Sequence, residues 1–440
     1  MTERSARARG RLRVLLLGAG GREHALAWKL RRSASLEKLF SAPGSEAISE
    51  HAERVALDSL DPSAVTAFCG REKVGLVVVG PEAPLEAGVA DALRAAGVPV
   101  FGPGKAAARL ETSKAFAKDF MTRHGVPTAR HQTFSSAAEA RDALRSWASG
   151  VVVKADGLAQ GKGVAVCADR AEALKAVSEF MEGGRLGKAG ARIILEERLS
   201  GPELSVMALV SSGSMSLLPF SRDHKRLADD DEGPNTGGMG AVAPVPVGPE
   251  ALRRIESEVM ARVLAGLKAD GLDYRGALYA GLMLTKDGPK ALEFNCRFGD
   301  PEAQAVLPLL EGDFLETLLD CSLGRPLAGP VKTSGGACAC VVLASEGYPE
   351  APRTGRPISG LEAPLEEGVR VFHAGTSRGE RGWVTKGGRV LGVTATAASL
   401  EEARNKAYAG VSRISFEGMR YRKDIGAATL EPARKARRAS

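Results

Sequence analysis

Aromatic residues are scarce in this chain, 5% of 440 positions, and its six cysteines stand apart at 69, 167, 296, 321, 338 and 340. No C-x-x-C pair or cysteine–histidine spacing of the zinc type occurs, which excludes a zinc-finger or disulfide framework and suits a reducing, cytoplasmic setting. Long apolar runs are missing as well. Nothing approaches the ~20 residues of a membrane span. The apolar run after the basic start, residues 14–17, ends at Gly18, short of a signal-peptide core. Charge of one sign is also lacking in the body of the chain: of the net +7, four charges belong to residues 1–13 and three to residues 431–440. A basic stripe that tracks nucleic-acid phosphates is therefore excluded. The tails read as solubilising, with weak contact to nucleic acid or an anionic surface as the alternative.

What the chain does have is glycine, 52 residues in small clusters between apolar runs and without a collagen period. Tight turns and close approach of backbone to ligand are the expected uses. The length suits two to four domains. Residues 13–102 alternate short Val- and Leu-rich runs (14–17, 36–40, 76–79, 98–101) with helical stretches, the pattern of a doubly wound parallel sheet whose loops converge on one small molecule. Hairpin strands around a glycine loop follow, then a polar segment at 223–240 without periodicity. After it come a helix over about 249–269, two further strands, and a boundary near Pro326, Pro330 and Ser334. Beyond that lie three strands and a helix over 400–414, a small α+β unit.

Several motifs carry chemistry. GAGGREHA (18–25) follows a strand and opens a helix, so Gly20, Gly21 and Arg22 form a candidate anion site. Glu23 replaces the third glycine of a dinucleotide fingerprint and the next strand ends without an acid, so phosphate without a dinucleotide is expected, a structural turn being the alternative. KADGLAQGKGV sets Lys154 at a strand end and Gly157, Gly161 and Gly163 around Lys162; the spacing is not that of a Walker A loop, and a phosphate lid is expected over a plain hairpin turn. Glu196, Glu197 and Glu203 cluster in LEERLSGPE, where a solvated charged edge is the ordinary meaning. In ALEFNCR, strand alternation puts Glu293 and Asn295 on one face, two hard oxygen donors that suit Mg²⁺. The glycine-rich segment 223–240 brings Asp223, Lys225 and Arg226 beside Asn235, Thr236, Gly237 and Gly238, suited to an anionic substrate. His51, His131, Lys423 and Asp424 have no partner visible in sequence, and surface or structural roles are expected for them.

From about Arg13 to Gly426 the motifs GAGGREHA, GPEAPL, SKAFAKDF, KADGLAQGKGV, EERLSGPELS, DHKR, GPNTGGMGA, LYAGLM, EFNCRFGDPEAQ, GGRVL and YRKDIG resemble the glycinamide ribonucleotide synthetases of the ATP-grasp superfamily. The resemblance implies an α/β and α+β multidomain chain: basic tails at 1–10 and 431–440, an N-terminal doubly wound substrate domain at 11–112, an ATP-grasp domain at 113–330 with a lid at about 130–198, and a C-terminal α+β domain at 331–430. It implies a monofunctional, monomeric, cytoplasmic ligase that joins glycine to 5-phosphoribosylamine through a glycyl phosphate. ATP and Mg²⁺ or Mn²⁺ would be used, with neither nucleic acid nor membrane as partner.

By the same resemblance Lys114 and Lys154 neutralise ATP phosphates under the 157–163 loop, Glu196, Glu197 and Leu199 line the adenine, and Glu203 holds the ribose. Glu293 and Asn295 bind metal and Arg297 stabilises the transferring phosphoryl group. Gly20, Gly21, Arg22 and Glu82 take the phosphoribosylamine, while Asp223, catalytic Lys225, Arg226 and residues 235–238 line the remaining substrate site with Arg297. Ser45, Arg222 and Asp230 depart from the family's usual Asn, Gln and Gly, and LYAGLM lacks an acidic metal ligand that many ATP-grasp strands carry. Three other readings remain open on the residues alone: an ATP-grasp carboxylase or formate-dependent ligase, a nicotinamide oxidoreductase resting on Gly18 to Gly21, and a basic-tailed nucleic-acid-binding protein.

Overall fold

The computed structural model describes residues 11–147, 150–158, 163–184, 186–327 and 329–430. Both basic tails, and Gly161 and Lys162 of the glycine loop, lie outside the described residues. The chain begins with a five-stranded parallel sheet ordered Glu53–Arg54, Leu36–Pro43, Leu12–Gly18, Leu76–Val79, Val100–Phe101. Val14 to Leu17 and Leu76 to Val79 are buried on both faces, as continuous aliphatic strands in such a sheet must be. The strand order reverses around Leu12–Gly18, so the turns after residues 18, 43 and 79 open side by side at the carboxyl edge. There Gly44 N donates to Gly18 O and Gly80 N to Leu17 O. The edge strand at 53–54 is too short to show a sequence alternation.

Next comes a small body with a core of its own, built on Phe134, Leu144, Val153, Val177, Ile193 and Leu195. Its antiparallel sheet runs His131–Phe134, Ile193–Glu197, Val151–Ala155, Val164–Cys167, with helices Ala137–Ala143 and Arg170–Met181 against it. A second antiparallel sheet follows, ordered Ser214–Leu217, Glu203–Ser211, Arg275–Thr285, Gly288–Asn295. These two sheets meet at a cleft where Lys154, at the end of Val151–Ala155, reaches the strand that bears Glu293, its Nζ donating to Leu292 O at 3.2 Å.

The last sheet is ordered Arg222–Asp223, Gly240–Ala243, Ala337–Ala344, Arg389–Ala397, Val369–His373, with helix Leu400–Val411 packed on it. Its first two strands come from the polar segment 223–240 and its flank, which carries no periodicity in the sequence. Ala241 pairs with Cys340 almost a hundred positions away. A two-stranded hairpin, Arg226–Ala228 with Glu232–Asn235, projects between those strands. The segment that reads as a loop is thus a hairpin footed in the C-terminal sheet. Among the described residues no helix is long and apolar enough to cross a membrane.

Candidate active site

Strand Gly288–Asn295 is the floor of the cleft. Glu293 faces Gly281 and Asn295 faces Tyr279 on the neighbouring strand, so both oxygen-bearing side chains rise on one face. A Cβ at Gly281 would touch Glu293 Cγ at 3.4 Å and Tyr279 Cε1 at 3.5 Å, so the glycine lets the Glu293 side chain lie close against the neighbouring strand. The ladder is irregular at Leu292, whose carbonyl accepts Lys154 Nζ at 3.2 Å. Lys225 Nζ lies 3.7 Å from Glu293 Oε1 and 3.1 Å from Glu203 Oε2. Burial would raise the Glu293 pKa, but Lys225, Lys154, Lys114 and Arg297 outweigh it and hold the carboxyl at about 2. Four cations face this one carboxylate, and three of them are shared with other acids: Lys225 with Glu203, Lys154 with Glu196, and Arg297 with Glu111 and Glu82.

Behind Lys154 sits a buried triad. Glu196 Oε2 takes Lys118 Nζ at 2.9 Å and Lys154 Nζ at 3.0 Å, with the Glu196 and Lys118 side chains each 2% exposed. Lys118 also donates to Thr128 Oγ1 at 2.8 Å, and Thr128 in turn donates to Ala291 O at 2.7 Å, which ties the base of the small body to the floor strand. Burial pushes the Lys118 ammonium down to about 8, Lys154 adding to the effect. The other oxygen of Glu196, Oε1, is buried without a hydrogen-bond partner. Glu197, next along the strand, points the other way: it is exposed and accepts only from Arg130 N at 3.3 Å. Leu199 is half-buried in the link that follows. Lys114 Nζ donates to Gly157 O at 3.1 Å, and Gly157 needs its freedom from a side chain, with φ +136° and Ala189 Cβ 3.1 Å from where a Cβ would stand.

Arg297, two residues past Asn295, is gripped by four groups: Glu111 Oε1 at 2.9 Å, Phe298 O at 3.1 Å, Asn295 Oδ1 at 3.2 Å and Glu82 Oε2 at 3.5 Å. Glu111 also accepts Cys296 N at 2.6 Å. The first loop is more self-contained than its motif suggests. Gly20 N donates to Glu23 Oε2 at 2.7 Å, the side chain that stands in place of the third glycine. Arg22 is buried and turned inward, donating to Glu23 Oε1 at 2.6 Å and Phe298 O at 3.1 Å. Gly21 abuts Gln304 and Ala374, so this turn docks on the C-terminal unit.

On the opposite wall Asp223 is half-buried, and its buried Oδ1 has no hydrogen-bond partner. Burial and the neighbouring Glu302 hold its pKa well above the usual carboxylate range. Gly238, at φ +110°, crosses directly over it; a Cβ there would stand 2.4 Å from Pro301 Cδ and 2.6 Å from Asp223 Oδ1. Gly237 is held from the C-terminal unit, its N–H donating to Tyr348 Oη at 2.9 Å and its carbonyl accepting from Arg389 Nη1. Arg389 also pairs with Asp300 Oδ2 at 3.2 Å. Thr236 Oγ1 donates to Lys225 O at 2.9 Å and accepts Gly238 N at 3.0 Å, while Arg226 Nη1 donates to Gly233 O at 2.7 Å within the hairpin. Asn235 ends that hairpin opposite Arg226.

The structure thus gathers Lys114, Lys154, Glu196, Glu203, Lys225, Glu293, Asn295 and Arg297 around one cleft, while the Glu197 side chain is turned away. Sequence reasoning missed Glu111, Lys118, Asp300, Glu302, Tyr348 and Arg389. Lys118 had a signal, four residues after Lys114 on one helix face; Tyr348 and Arg389 had none, because only the sheet pairing brings their loops across. Asp424, expected to lack a partner, accepts Arg422 Nε at 2.7 Å and Asp230 N at 3.0 Å.

His24, Glu50 and His51 offer donor atoms within 4.8 Å of one another. They do not make a metal centre. His24 Nδ1 accepts the His373 N–H at 2.9 Å, so the ring proton is on Nε2, whereas a ligating histidine needs that lone pair and ordinarily donates from its other nitrogen.

Family models for the phosphoribosylglycinamide synthetase N domain, ATP-grasp (A) domain and C domain match residues 12–111, 112–303 and 338–428. The chain belongs to the phosphoribosylglycinamide synthetase family. A phosphoribosylamine–glycine ligase of Caulobacter vibrioides is 48% identical over 424 residues, 96% of this chain and 99% of the relative. The trifunctional purine biosynthetic protein adenosine-3 of Gallus gallus is 47% identical over 420 residues, 94% of this chain but 42% of that protein. A crystal structure of phosphoribosylamine–glycine ligase from Thermotoga maritima superposes with TM-score 0.83 at 35% identity, covering 94% of this synthetase-family chain and all of that one. At 16% identity and TM-score 0.73, the biotin carboxylase domain of Hydrogenobacter thermophilus 2-oxoglutarate carboxylase, in complex with MgADP and bicarbonate, shares the fold alone, with 94% of this chain and 92% of that one covered.

Proposed function

We propose that the chain joins glycine to 5-phosphoribosylamine with ATP, giving glycinamide ribonucleotide, ADP and phosphate, and that both half-reactions occur over the Glu293 face. The observation that carries the assignment of the site is the convergence of Lys114, Lys154, Lys225 and Arg297 on a carboxylate held at about 2. Such a field suits a polyphosphate and an acyl phosphate in turn. In the first half-reaction a glycine carboxylate oxygen attacks the γ-phosphorus, the bond to the bridging oxygen breaks, and ADP leaves. In the second, the amine nitrogen of phosphoribosylamine attacks the acyl carbon, phosphate departs with the acyl oxygen, and the nitrogen loses a proton. No nucleophilic side chain is needed, because positioning and charge neutralisation can carry phosphoryl transfer.

Lys114 and Lys154 neutralise the ATP phosphates. Gly157, whose carbonyl accepts Lys114 Nζ, opens the glycine loop beside these lysines; Gly161 and Lys162 lie outside the described residues. Glu196 Oε1, the buried acceptor left without a partner, fits the exocyclic amine of adenine. The backbone at Glu197 and Leu199 lines the same ring, and Glu203 takes the ribose hydroxyls. Arg297 stabilises charge on the transferring phosphoryl group. Lys225, Arg226 and residues 235–238 surround the glycine, with Asp223 Oδ1 a buried acceptor suited to its amine. The opening turn at Gly20, Gly21 and Arg22, with Glu82, takes the phosphoribosylamine.

Glu293 and Asn295 fit a divalent cation: one ionised carboxylate and one amide oxygen on a single strand face. Hard oxygen donors favour Mg²⁺, with Mn²⁺ accommodated. Held by Glu293 and Asn295, such an ion would supply neutralisation of phosphate charge. We further assign a monomer acting in the cytoplasm, without nucleic-acid or membrane partners, in keeping with the neutral body of the chain. The test is ADP release from purified protein with ATP, Mg²⁺, glycine and phosphoribosylamine generated in situ, each omitted in turn. Release that requires both acceptor substrates is expected, and Glu293→Ala should lower it by about a hundredfold or more, the scale of losing one such electrostatic contact. An undiminished rate in Glu293→Ala would move the site elsewhere.

A further inference from the structure

The hairpin that carries Lys225, Arg226, Asn235 and Thr236 meets the sheet that carries Glu293 through the Lys225 side chain and the Ser221–Ser205 backbone pair, but its strands pair elsewhere. Its two feet, Arg222–Asp223 and Gly240–Ala243, are strands of the C-terminal sheet. Its tip lies against the segment 421–426, near the end of the described chain. Arg422 has a side chain only 1% exposed, and it points into the hairpin: Nη1 donates to Asp231 Oδ1 at 2.7 Å and to Arg226 O at 3.2 Å. The rest of that guanidinium is aligned by Asp424, which accepts from Nε at 2.7 Å and from Nη2 at 2.5 Å.

Two backbone contacts extend the clamp in both directions. Lys423 N donates to Asp229 Oδ1 at 2.7 Å, and Asp230 N donates back to Asp424 Oδ2 at 3.0 Å. At the foot of the hairpin Gly426 N donates to His224 Nε2 at 3.0 Å, which leaves the proton of that ring on Nδ1, 3.3 Å from Gly240 O. The segment is itself anchored: Tyr408 Oη, on helix Leu400–Val411, donates to Arg422 O at 2.8 Å and accepts Ile425 N at 3.1 Å. A fully buried guanidinium with all its contacts on two chain segments fixes their relative position within a hydrogen-bond length.

We infer that Arg422 is a positioning residue for substrate recognition: through Asp231 and the Arg226 carbonyl it sets the hairpin that presents Lys225 and Arg226, so that the C-terminal unit governs the acceptor substrates independently of ATP. This rests on the reading that the hairpin lines the glycine and phosphoribosylamine site. Among the described residues no hydrogen bond or ion pair joins the ATP-facing groups Lys114, Lys118, Lys154 and Glu196 to the 421–426 segment, and their support comes through Thr128 and the floor strand.

The experiment is steady-state kinetics of Arg422→Met, Arg422→Lys and Asp231→Ala beside the parent protein, with hydrogen exchange of the 224–238 amides. Asp231 is exposed, so Asp231→Ala removes the hairpin's half of the clamp without emptying a buried site. In Arg422→Met and Asp231→Ala, KM for glycine or phosphoribosylamine should rise about tenfold, the effect of losing a charge-assisted hydrogen bond, while KM for ATP stays within about twofold. Hairpin amides should exchange faster, and Arg422→Lys should recover part of the loss. Parental KM values for both acceptor substrates in Asp231→Ala, or a parallel rise in KM for ATP, would overturn the inference. Lys225→Met separates the two levels: parental kinetics in that variant would remove the hairpin from the substrate site and so overturn the underlying reading, whatever Arg422 does.

Discussion

Asp230 has a left-handed backbone, φ 58° and ψ 26°, at the tip of the hairpin. L-residues pay for that conformation through the approach of Cβ to the following carbonyl, and glycine does not. The family's usual glycine at this position has its physical reason there, and the departure can be costed. Asp230→Gly should stabilise the protein by up to ~1 kcal/mol, since the strain relieved slightly exceeds the entropy that glycine adds to the unfolded chain. Urea denaturation would measure it, and a lower midpoint in the variant would contradict it. The two other departures are absorbed locally. Arg222 Nε donates to Glu203 O at 3.1 Å and its Nη1 to Thr429 Oγ1 at 3.2 Å, while Ser45 Oγ accepts Ile48 N at 3.3 Å. At this scale much was legible: Glu293 and Asn295 share a face because strand side chains alternate. The direction of the Arg22 side chain was not, because its partners Glu23 and Phe298 compete with any ligand for the same donors.

Among elements, the small body with its own core joins the rest of the protein through the Lys118–Glu196–Lys154 triad. Two cations share one carboxylate, so the members are not equivalent. Glu196→Leu leaves two buried ammonium groups facing each other and should cost about 3–5 kcal/mol, the range for a broken buried ion pair. Lys118→Met leaves a neutral Glu196–Lys154 pair and should cost only about 1 kcal/mol or less, because one buried charge is removed together with its desolvation. Equal losses in the two variants by urea denaturation would refute this ordering. The sequence shows Lys114 and Lys118 on one helix face, and the strands carrying Lys154 and Glu196 by their aliphatic runs. It cannot show that Val152 pairs with Glu196 and brings Lys154 alongside, since strand register is settled across the sheet.

Across the whole molecule, three buried histidines lie in the seams between units: His24 under the C-terminal sheet, His224 between hairpin and chain end, and His373 against Trp383. Burial, reinforced by His373 and His51, lowers His24 to about 3; burial with Arg422 lowers His224 to about 4, and burial with Arg378 lowers His373 to about 4. All three are neutral when folded. Between their folded values and the unfolded value near 6.5, the unfolded chain binds more protons, so stability falls as pH falls through this window, by up to ~1.4 kcal/mol per pH unit for each histidine. Melting temperature should therefore drop steeply from pH 7 to pH 5. His24→Asn, whose side-chain oxygen can still accept the His373 N–H, should show a smaller drop. A flat profile in the parent protein would contradict the neutral assignments.

Local structure was readable from the chain alone: the buried parallel strands from their unbroken Val and Leu, the shared face of Glu293 and Asn295 from period-two alternation, and the family from motifs spread over nearly the whole length. These follow from interactions between residues a few positions apart. The footing of the 223–240 hairpin in the C-terminal sheet, the arrival of Tyr348 and Arg389 at Gly237, and the clamp of Arg422 on Asp231 could come only from folding. Each depends on contacts between segments separated by about one to two hundred residues, and such contacts leave no periodic trace in either segment.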